Sequence, residues 1–390
     1  MIISIFLVKF EPTTGKSKHI LEVSRRLMDR GVTTHLITNK VKWNGPAEAL
    51  AHLKIHELGG STNSLYLRPE KVASVVRSVG ADVFELHGGL SMTLFARSFA
   101  KKIPIPVVVN IHSQPSDLLK ERRYLSWADW IHDRKYVADF DDLIGLTMKA
   151  IGLKRFVSHP NIKAVIVPSR QLAEKFHNIS NVSYVPSGAS LGSGPSVDSK
   201  RDDNYQTILF FGRAVMVRGI DTLIQAFSKL GVVRPYLRLE LLLLDDVDLS
   251  RIRRLVKDSP WSTRIELTVG RQAGMDRRLA QATLAAFPFR SSGCIPEQPL
   301  TMIEAMAAAL PVVTTPIGTV PEIVQDGQNG RIIPPADPKR LAQVIGELLD
   351  DSATRDRLGL AGQETVRSRF NWDTIADQTF RIYEQACKRA

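Results

Sequence analysis

The feature that most constrains this chain is a helix-forming run that breaks at a proline and passes straight into four β-branched residues. It lies within residues 293–315. From Leu300 to Ala309 every residue but Thr301 is apolar or a good helix former, and Glu304 is the single charge. Pro299 suits a first helical turn, where its missing N–H is not needed. Pro311 ends the helix, and Val312-Val313-Thr314-Thr315 reads as a buried parallel strand. A carboxylate in so apolar a helix is costly to bury unless something pairs with it. A nucleotide ribose is one such partner; the alternative is a Glu304 that reaches solvent or caps a neighbour. The N–H groups of Leu300 and Thr301 face outward at a helix start that suits an anion such as a diphosphate. Most helix N-termini bind nothing, so this stretch alone leaves both readings open.

Bulk properties narrow the field. A chain of 390 residues has room for two or three domains. An apolar fraction of 44% with 24% charged residues is that of an ordinary soluble protein. Cys294 and Cys387 fit neither a disulfide framework nor a metal site, so the expected compartment is the reducing cytoplasm. The first residues, Met1 to Val8, lack signal-peptide anatomy and read as a buried strand. The net charge of +12 is uneven. Residues 1–200 hold 27 Lys and Arg against 17 Asp and Glu, a balance of +10; the remainder holds 25 against 23. That excess favours an anionic partner or a peripheral contact with an anionic inner-membrane face. No nucleic-acid-binding motif accompanies it.

Residues 1–40 read as a β-α-β unit with a helix closed at Gly31. Gly15-Lys16-Ser17 mimics a P-loop, but position 10 is Phe where that motif needs glycine, so the match fails. His87 and His112 end predicted strands, the edge where open α/β sheets hold ligands, although a structural hydrogen bond is the better reading of His87. Residues 120–136 mix basic and aromatic side chains at helical spacing. Either an interfacial helix or a surface helix packing its tryptophans inward would look so, and Asp129 and Asp133 favour the second. Asp139 and Asp141 form a lone Asp-x-Asp with no further ligand nearby. Residues 191–204 are the most linker-like stretch, so the expected division is 1–190, a linker, and 205–370, with 371–390 returning to the first domain. In the second series Arg213 and Arg218 lie in a loop entering a helix, a strong anion clamp.

The order and spacing of three segments carry a resemblance. They are Phe211-Gly212-Arg213 through Arg218-Gly219 to Phe227, then Pro299 through Glu304 to Val313, then Pro321 through Gly330; the ending Phe370-Asn371-Trp372 to Tyr383-Glu384 is a weaker echo. Together they resemble the GT4 family of retaining glycosyltransferases over essentially the whole chain. The resemblance implies an α/β chain with two Rossmann-like domains facing each other across a cleft, the GT-B fold, and a C-terminal helix crossing back to the first. It implies that Arg213 and Arg218 hold a donor diphosphate, that Glu304 binds the ribose, and that Leu300 and Thr301 meet phosphate. Gly15, Lys16, Gly212 and Gly270 join them as donor-binding positions. His112 would touch the donor sugar, and His112 and Glu297, with the two arginines, are the catalytic candidates.

The implied reaction moves a sugar, with retention, from a UDP or GDP sugar to a glycan, lipid-linked or small-molecule acceptor, without a metal or other cofactor. The alternatives are a catalytically impaired nucleotide-sugar binder and an epimerase of the same fold. Several positions depart from the family pattern. The first of its two glutamates falls on Pro296, with Glu297 one place away; a usual glycine is Ala309; and a usual Gly-Asp-Gly is Leu244-Asp245-Asp246.

Overall fold

A computed structural model describes residues 1–11, 14–43, 47–60, 65–112, 121–132, 154–179, 181–190, 205–270, 274–294 and 298–389. The chain forms two compact units. Met1–Pro115, Phe140–Gly188 and Trp372–Ala390 make the first, and Ser116–Asp139 with Ala189–Asn371 make the second. The sequence-based division differs in two respects. The change of unit falls after Gly188, ahead of the expected linker 191–204, which lies outside the described residues. Ser116–Asp139 also groups with the second unit, because Glu121 and Asp129 are buried there against partners far along the chain.

The first unit is built on seven parallel strands. In chain order these include β1 (Ile2–Phe6), β3 (Thr33–Thr38), β5 (Leu53–Glu57), β6 (Val83–Gly88), β7 (Val107–Ile111), β8 (Ile162–Val167) and β9 (Val182–Tyr184). The short β2 (Lys9–Phe10) and β4 (Lys40–Val41) pair beside them. The sheet order is β5-β3-β1-β6-β7-β8-β9. Runs such as Val107-Val108-Val109 are apolar at every position because both faces are covered. One face packs on the helices Pro69–Ser78 and Thr93–Lys102 through Val72, Val76 and Phe99. The other packs on Gly15–Met28 and on the returning helix Trp372–Lys388 through Ile20, Val23, Ile375 and Tyr383. The sequence resemblance implied this return, and its cause is apolar. Each large side chain buried there contributes about 1.5–3 kcal/mol. The exposed pairs Arg26–Asp373 and Arg30–Asp377 contribute at most about 1 kcal/mol each.

The second unit carries β10 (Gln206–Gly212), β11 (Leu237–Leu243), β12 (Ile265–Val269), β13 (Leu284–Phe287), β14 (Val312–Thr314) and β15 (Arg331–Ile332). All are parallel, in the order β12-β11-β10-β13-β14-β15. The order reverses at β10, flanked by β11 and β13, so the carboxyl ends of β10 and β13 mark the switch point where open α/β sheets take ligands. In the first unit β1 sits between β3 and β6 in the same way.

Two local readings of the sequence need correction. Pro299 is the residue before the helix, not inside its first turn, and the helix Leu300–Ala307 stops two residues sooner than the apolar run. It stops because Ala309 turns into the left-handed region at φ +55°, which reverses the chain into β14.

Candidate functional site

In the second unit the loop after β10 is folded tightly over the strand end. Gly212 has φ +152°, and a Cβ there would lie 2.8 Å from Arg218 Nη1 and 3.8 Å from Thr301 Oγ1. The guanidinium and the hydroxyl therefore converge on the bare backbone of Gly212. Gly219 sets this up. At φ +80° it lets the turn Met216–Arg218 press against the backbone of Pro288, whose oxygen would stand 1.9 Å from any Cβ. Arg218 is buried, with its Cζ 5.8 Å from the ring centre of Phe289.

Thr301 Oγ1 is buried and accepts or donates no hydrogen bond among the described residues. It opens the Leu300–Ala307 helix, which no side chain caps; Met302 and Ile303 N–H both donate to the Pro299 carbonyl at 2.9 and 3.1 Å. Glu304, half-buried, lies one turn on from Leu300 and Thr301, on the same face. Arg213, with 41% of its side chain exposed, has its Nε 2.6 Å from Asp245 Oδ2. Asp245 Oδ1 accepts the Ala214 N–H at 2.9 Å, and Asp248 accepts that of Met216 at 2.8 Å. Asp245 and Asp248 thus pin the arginine loop. Gly270 ends β12 at φ +92° with open space where a Cβ would stand, so nothing here requires a close approach. Glu297 and Pro296 lie outside the described residues.

In the first unit Gly15 and Lys16 open the helix Gly15–Met28, whose first turn is capped by Thr14 accepting from Ser17 N–H at 3.3 Å. Ser17 in turn accepts the Glu11 N–H at 2.9 Å, so the P-loop look-alike is a capping arrangement. His112 follows β7 and is 2% exposed. Its Nε2 is 2.7 Å from His87 Nδ1, and the other edge of His87 stands 2.7 Å from Glu85 Oε2. Glu85 also accepts from Asn110 Nδ2 at 3.0 Å and from Tyr383 Oη at 2.6 Å. Burial acts to raise the Glu85 carboxyl pKa, and the charge of His87 with three hydrogen bonds overcomes it, leaving the pKa below its usual value. Burial first, then the neighbouring basic groups His87, His19 and Lys16, hold His112 well below the ordinary histidine value. His19 is lowered to about 4, again chiefly by burial. The single-histidine reading of His87 as a structural hydrogen-bonding residue fits this chain. His19 and Tyr383 were not singled out, although Tyr383 stands in the weak C-terminal echo.

The described part of the aromatic-basic stretch is a turn at Arg122–Tyr124 and the helix Trp127–His132. Glu121 accepts from Ser291 Oγ at 3.0 Å and from Ser292 N–H at 2.9 Å. Asp129 pairs at 3.1 Å with buried Arg290, which also meets Asp221 at 3.3 Å. Trp127 is 77% exposed, contrary to a helix that tucks this tryptophan inward. Asp139 and Asp141 lie outside the described residues. Among the described residues no cluster of three or more His, Cys, Asp or Glu is placed to hold a metal, and no helix is long and apolar enough to cross a membrane.

Residues 13–191 match the family described as Glycosyltransferase Family 4, and residues 205–351 match Glycosyl transferases group 1. An MMP alpha-(1->4)-mannosyltransferase of Mycolicibacterium hassiacum is 32% identical over 182 residues, 45% of this chain. The match spans 42% of that relative's own length. Among solved structures, a sucrose-phosphate synthase from Thermosynechococcus elongatus covers 100% of both chains at TM-score 0.78 and 20% identity. Anabaena Alr3699/HepE in complex with UDP-glucose covers 98% of both at TM-score 0.70 and 17% identity. With two Rossmann-like units of the GT-B type and family matches along both, the chain belongs to the family 4 glycosyltransferases.

Proposed function

We propose that the protein transfers a sugar, with retention of configuration, from a nucleoside-diphosphate sugar to an acceptor hydroxyl. The observation that carries this reading is the convergence of Arg218 and of Thr301, in the first turn of a helix that no side chain caps, on the bare backbone of Gly212. A guanidinium and a helix N-terminus together suit a diphosphate, and they stabilise the charge that develops on it as the sugar leaves. In this reading Glu304 takes the ribose, Arg213 supports the diphosphate from the exposed side, and His112 is the first unit's contact to the donor sugar. Positive charge comes from side chains and backbone, so the step needs no metal. The phosphate oxygen itself takes the acceptor proton as the new glycosidic bond forms on the face that the diphosphate leaves.

The complex of Anabaena Alr3699/HepE with UDP-glucose supports a nucleotide sugar as donor, UDP being tried before GDP. The balance of +10 over residues 1–200 supports an anionic or lipid-linked acceptor met at a cytoplasmic membrane surface. A thermal-shift panel of UDP and GDP sugars, followed by product analysis with the stabilising donor, tests the reading. A raised melting temperature and a transferred sugar are expected. Stabilisation without transfer would favour a binder that has lost catalysis, and no stabilisation by any member would remove the donor site.

A further inference from the structure

Arg290, in the loop after β13, grips the turn Met216–Arg218 in two places. Its backbone N–H donates to the Val217 carbonyl at 2.9 Å, and its Nη2 donates to the Met216 carbonyl at 2.9 Å. Asp129 holds the same guanidinium at both prongs of the fork, Nη1 to Oδ2 at 3.1 Å and Nη2 to Oδ1 at 3.2 Å. Nη1 also meets Asp221 Oδ2 at 3.3 Å, in the first turn of the helix Ile220–Leu230 that follows Gly219. A bidentate pair fixes the plane of a guanidinium as well as its place. Arg290 is 4% exposed and Asp129 1%, so water competes little for these contacts. Asp129 is itself oriented. Its Oδ2 accepts the Ser126 N–H at 2.7 Å, and its own N–H donates to Ser126 Oγ at 3.2 Å.

We propose that Asp129 and Arg290 are positioning residues for Arg218, the first locking the guanidinium of the second so that the turn presents Arg218 to the donor diphosphate. The part played toward a diphosphate rests on the function proposed above; the hold on the turn does not. Asp248 fixes the entry to the turn through the Met216 N–H at 2.8 Å, and Arg290 fixes the carbonyl of the same residue. Gly219 N–H donates to that carbonyl too, at 2.8 Å, on the far side of Arg218. The bond from the Arg290 backbone to Val217 survives any change of side chain, so within the turn the guanidinium governs the Met216 carbonyl alone. A tilt there is amplified along the Arg218 side chain, and misplacing a binding group by about 1 Å can cost about 100-fold. Asp129 stands 161 residues before Arg290 in the chain and groups with the second unit. The segment around it therefore acts on the loop that carries Arg218.

Amide hydrogen exchange and titration with UDP and GDP, both on the full chain, test this together. Asp129→Asn keeps the size of the side chain and removes its charge. Residues 214–220 should exchange faster in this variant, while β10 and β11 keep their wild-type rates. Whichever of the two nucleotides binds the wild type should bind the variant about tenfold more weakly. In an Arg218→Met background the same substitution should change affinity by less than about twofold, because residues that act as a unit are not additive. Arg290→Lys keeps the charge and loses the planar fork, so it should repeat these results, and it carries the test if Asp129→Asn does not fold. Unchanged exchange at 214–220 overturns the proposal whether or not a nucleotide binds. An equal loss of affinity with and without Arg218 also overturns it, since Asp129 would then act on the fold at large. Faster exchange in the variant, with neither nucleotide bound by the wild type, leaves the hold on the turn standing and removes the donor site instead.

Discussion

Tyr383, on the returning helix, donates its hydroxyl to the buried carboxylate of Glu85 at 2.6 Å, across 298 residues of sequence. Hydrogen bonds to charged groups are worth about 1.5–3 kcal/mol, and a buried carboxylate that loses one is poorly compensated. Tyr383→Phe keeps the apolar ring and removes only this bond. Chemical denaturation at pH 7 should therefore show a loss of about 2 kcal/mol. A loss below about 0.5 kcal/mol would mean that the bond is incidental to holding the helix.

The two arginines should differ. Arg218 is buried beside Thr301, while Arg213 is partly exposed and already paired with Asp245. Removing a charge-assisted contact from a desolvated position costs more than removing one from a solvated pair. In direct binding of the stabilising nucleotide, Arg218→Ala should weaken affinity by about 100-fold and Arg213→Ala by about tenfold or less. The reverse ranking would place the anion elsewhere on the loop.

Ala309 adopts φ +55°, a conformation that costs a residue with a Cβ about 1–2 kcal/mol and glycine almost nothing. Ala309→Gly should accordingly stabilise the second unit by about 1 kcal/mol, read as a raised denaturation midpoint with unchanged slope. A neutral or destabilising result would show that the methyl group contributes packing that offsets the strain.

The Asp129–Arg290–Asp221 cluster anchors the segment around 121–132 to the second unit. Deleting one member of a buried ion network typically costs about 3–5 kcal/mol. Asp129→Ala should destabilise to that extent and speed proteolytic cleavage near residues 121–132. Cleavage at the wild-type rate would mean that Glu121 alone holds the segment.

Acid should weaken the first unit through His19. Its folded pKa of about 4 lies below the ordinary 6.5, so between those values the unfolded chain binds a proton that the folded one does not. Stability contributed by the neutral ring is present above pH 6.5 and is lost as the pH falls toward 4, by about 3 kcal/mol. Glu85 adds to the loss at still lower pH, because its depressed folded pKa favours the native state only while the unfolded carboxyl would be ionised. Both His19 nitrogens are buried without hydrogen-bond partners among the described residues. His19→Phe should flatten the stability profile between pH 6.5 and 4. An unchanged slope would assign the acid sensitivity to other groups.

Much of this was legible in the sequence for one reason: parallel strands covered on both faces read as unbroken apolar runs, and helices between them alternate on schedule. The loop of Gly212 and Arg218 and the helix start at Thr301 were readable as separate anion-binding features, and the fold brings Arg218 and Thr301 together over Gly212. What the sequence hid was non-local. Glu121 and Asp129 look like solvent-facing charges until Ser291, Ser292 and Arg290, some 160–170 residues on, are brought against them. Glu85 and Tyr383 gave no sign of each other for the same reason. Nor did the departure at Leu244-Asp245-Asp246 reveal that Asp245, with Asp248 further on, accepts the Ala214 and Met216 N–H groups.

The most direct measurement is calorimetric titration of UDP and GDP into the wild type and Arg218→Met. One of the two nucleotides should bind the wild type with micromolar affinity, and the variant, still folded, should bind it at least tenfold more weakly. Equal affinity in both proteins, or no binding of either nucleotide to the wild type, would contradict a diphosphate site over Gly212.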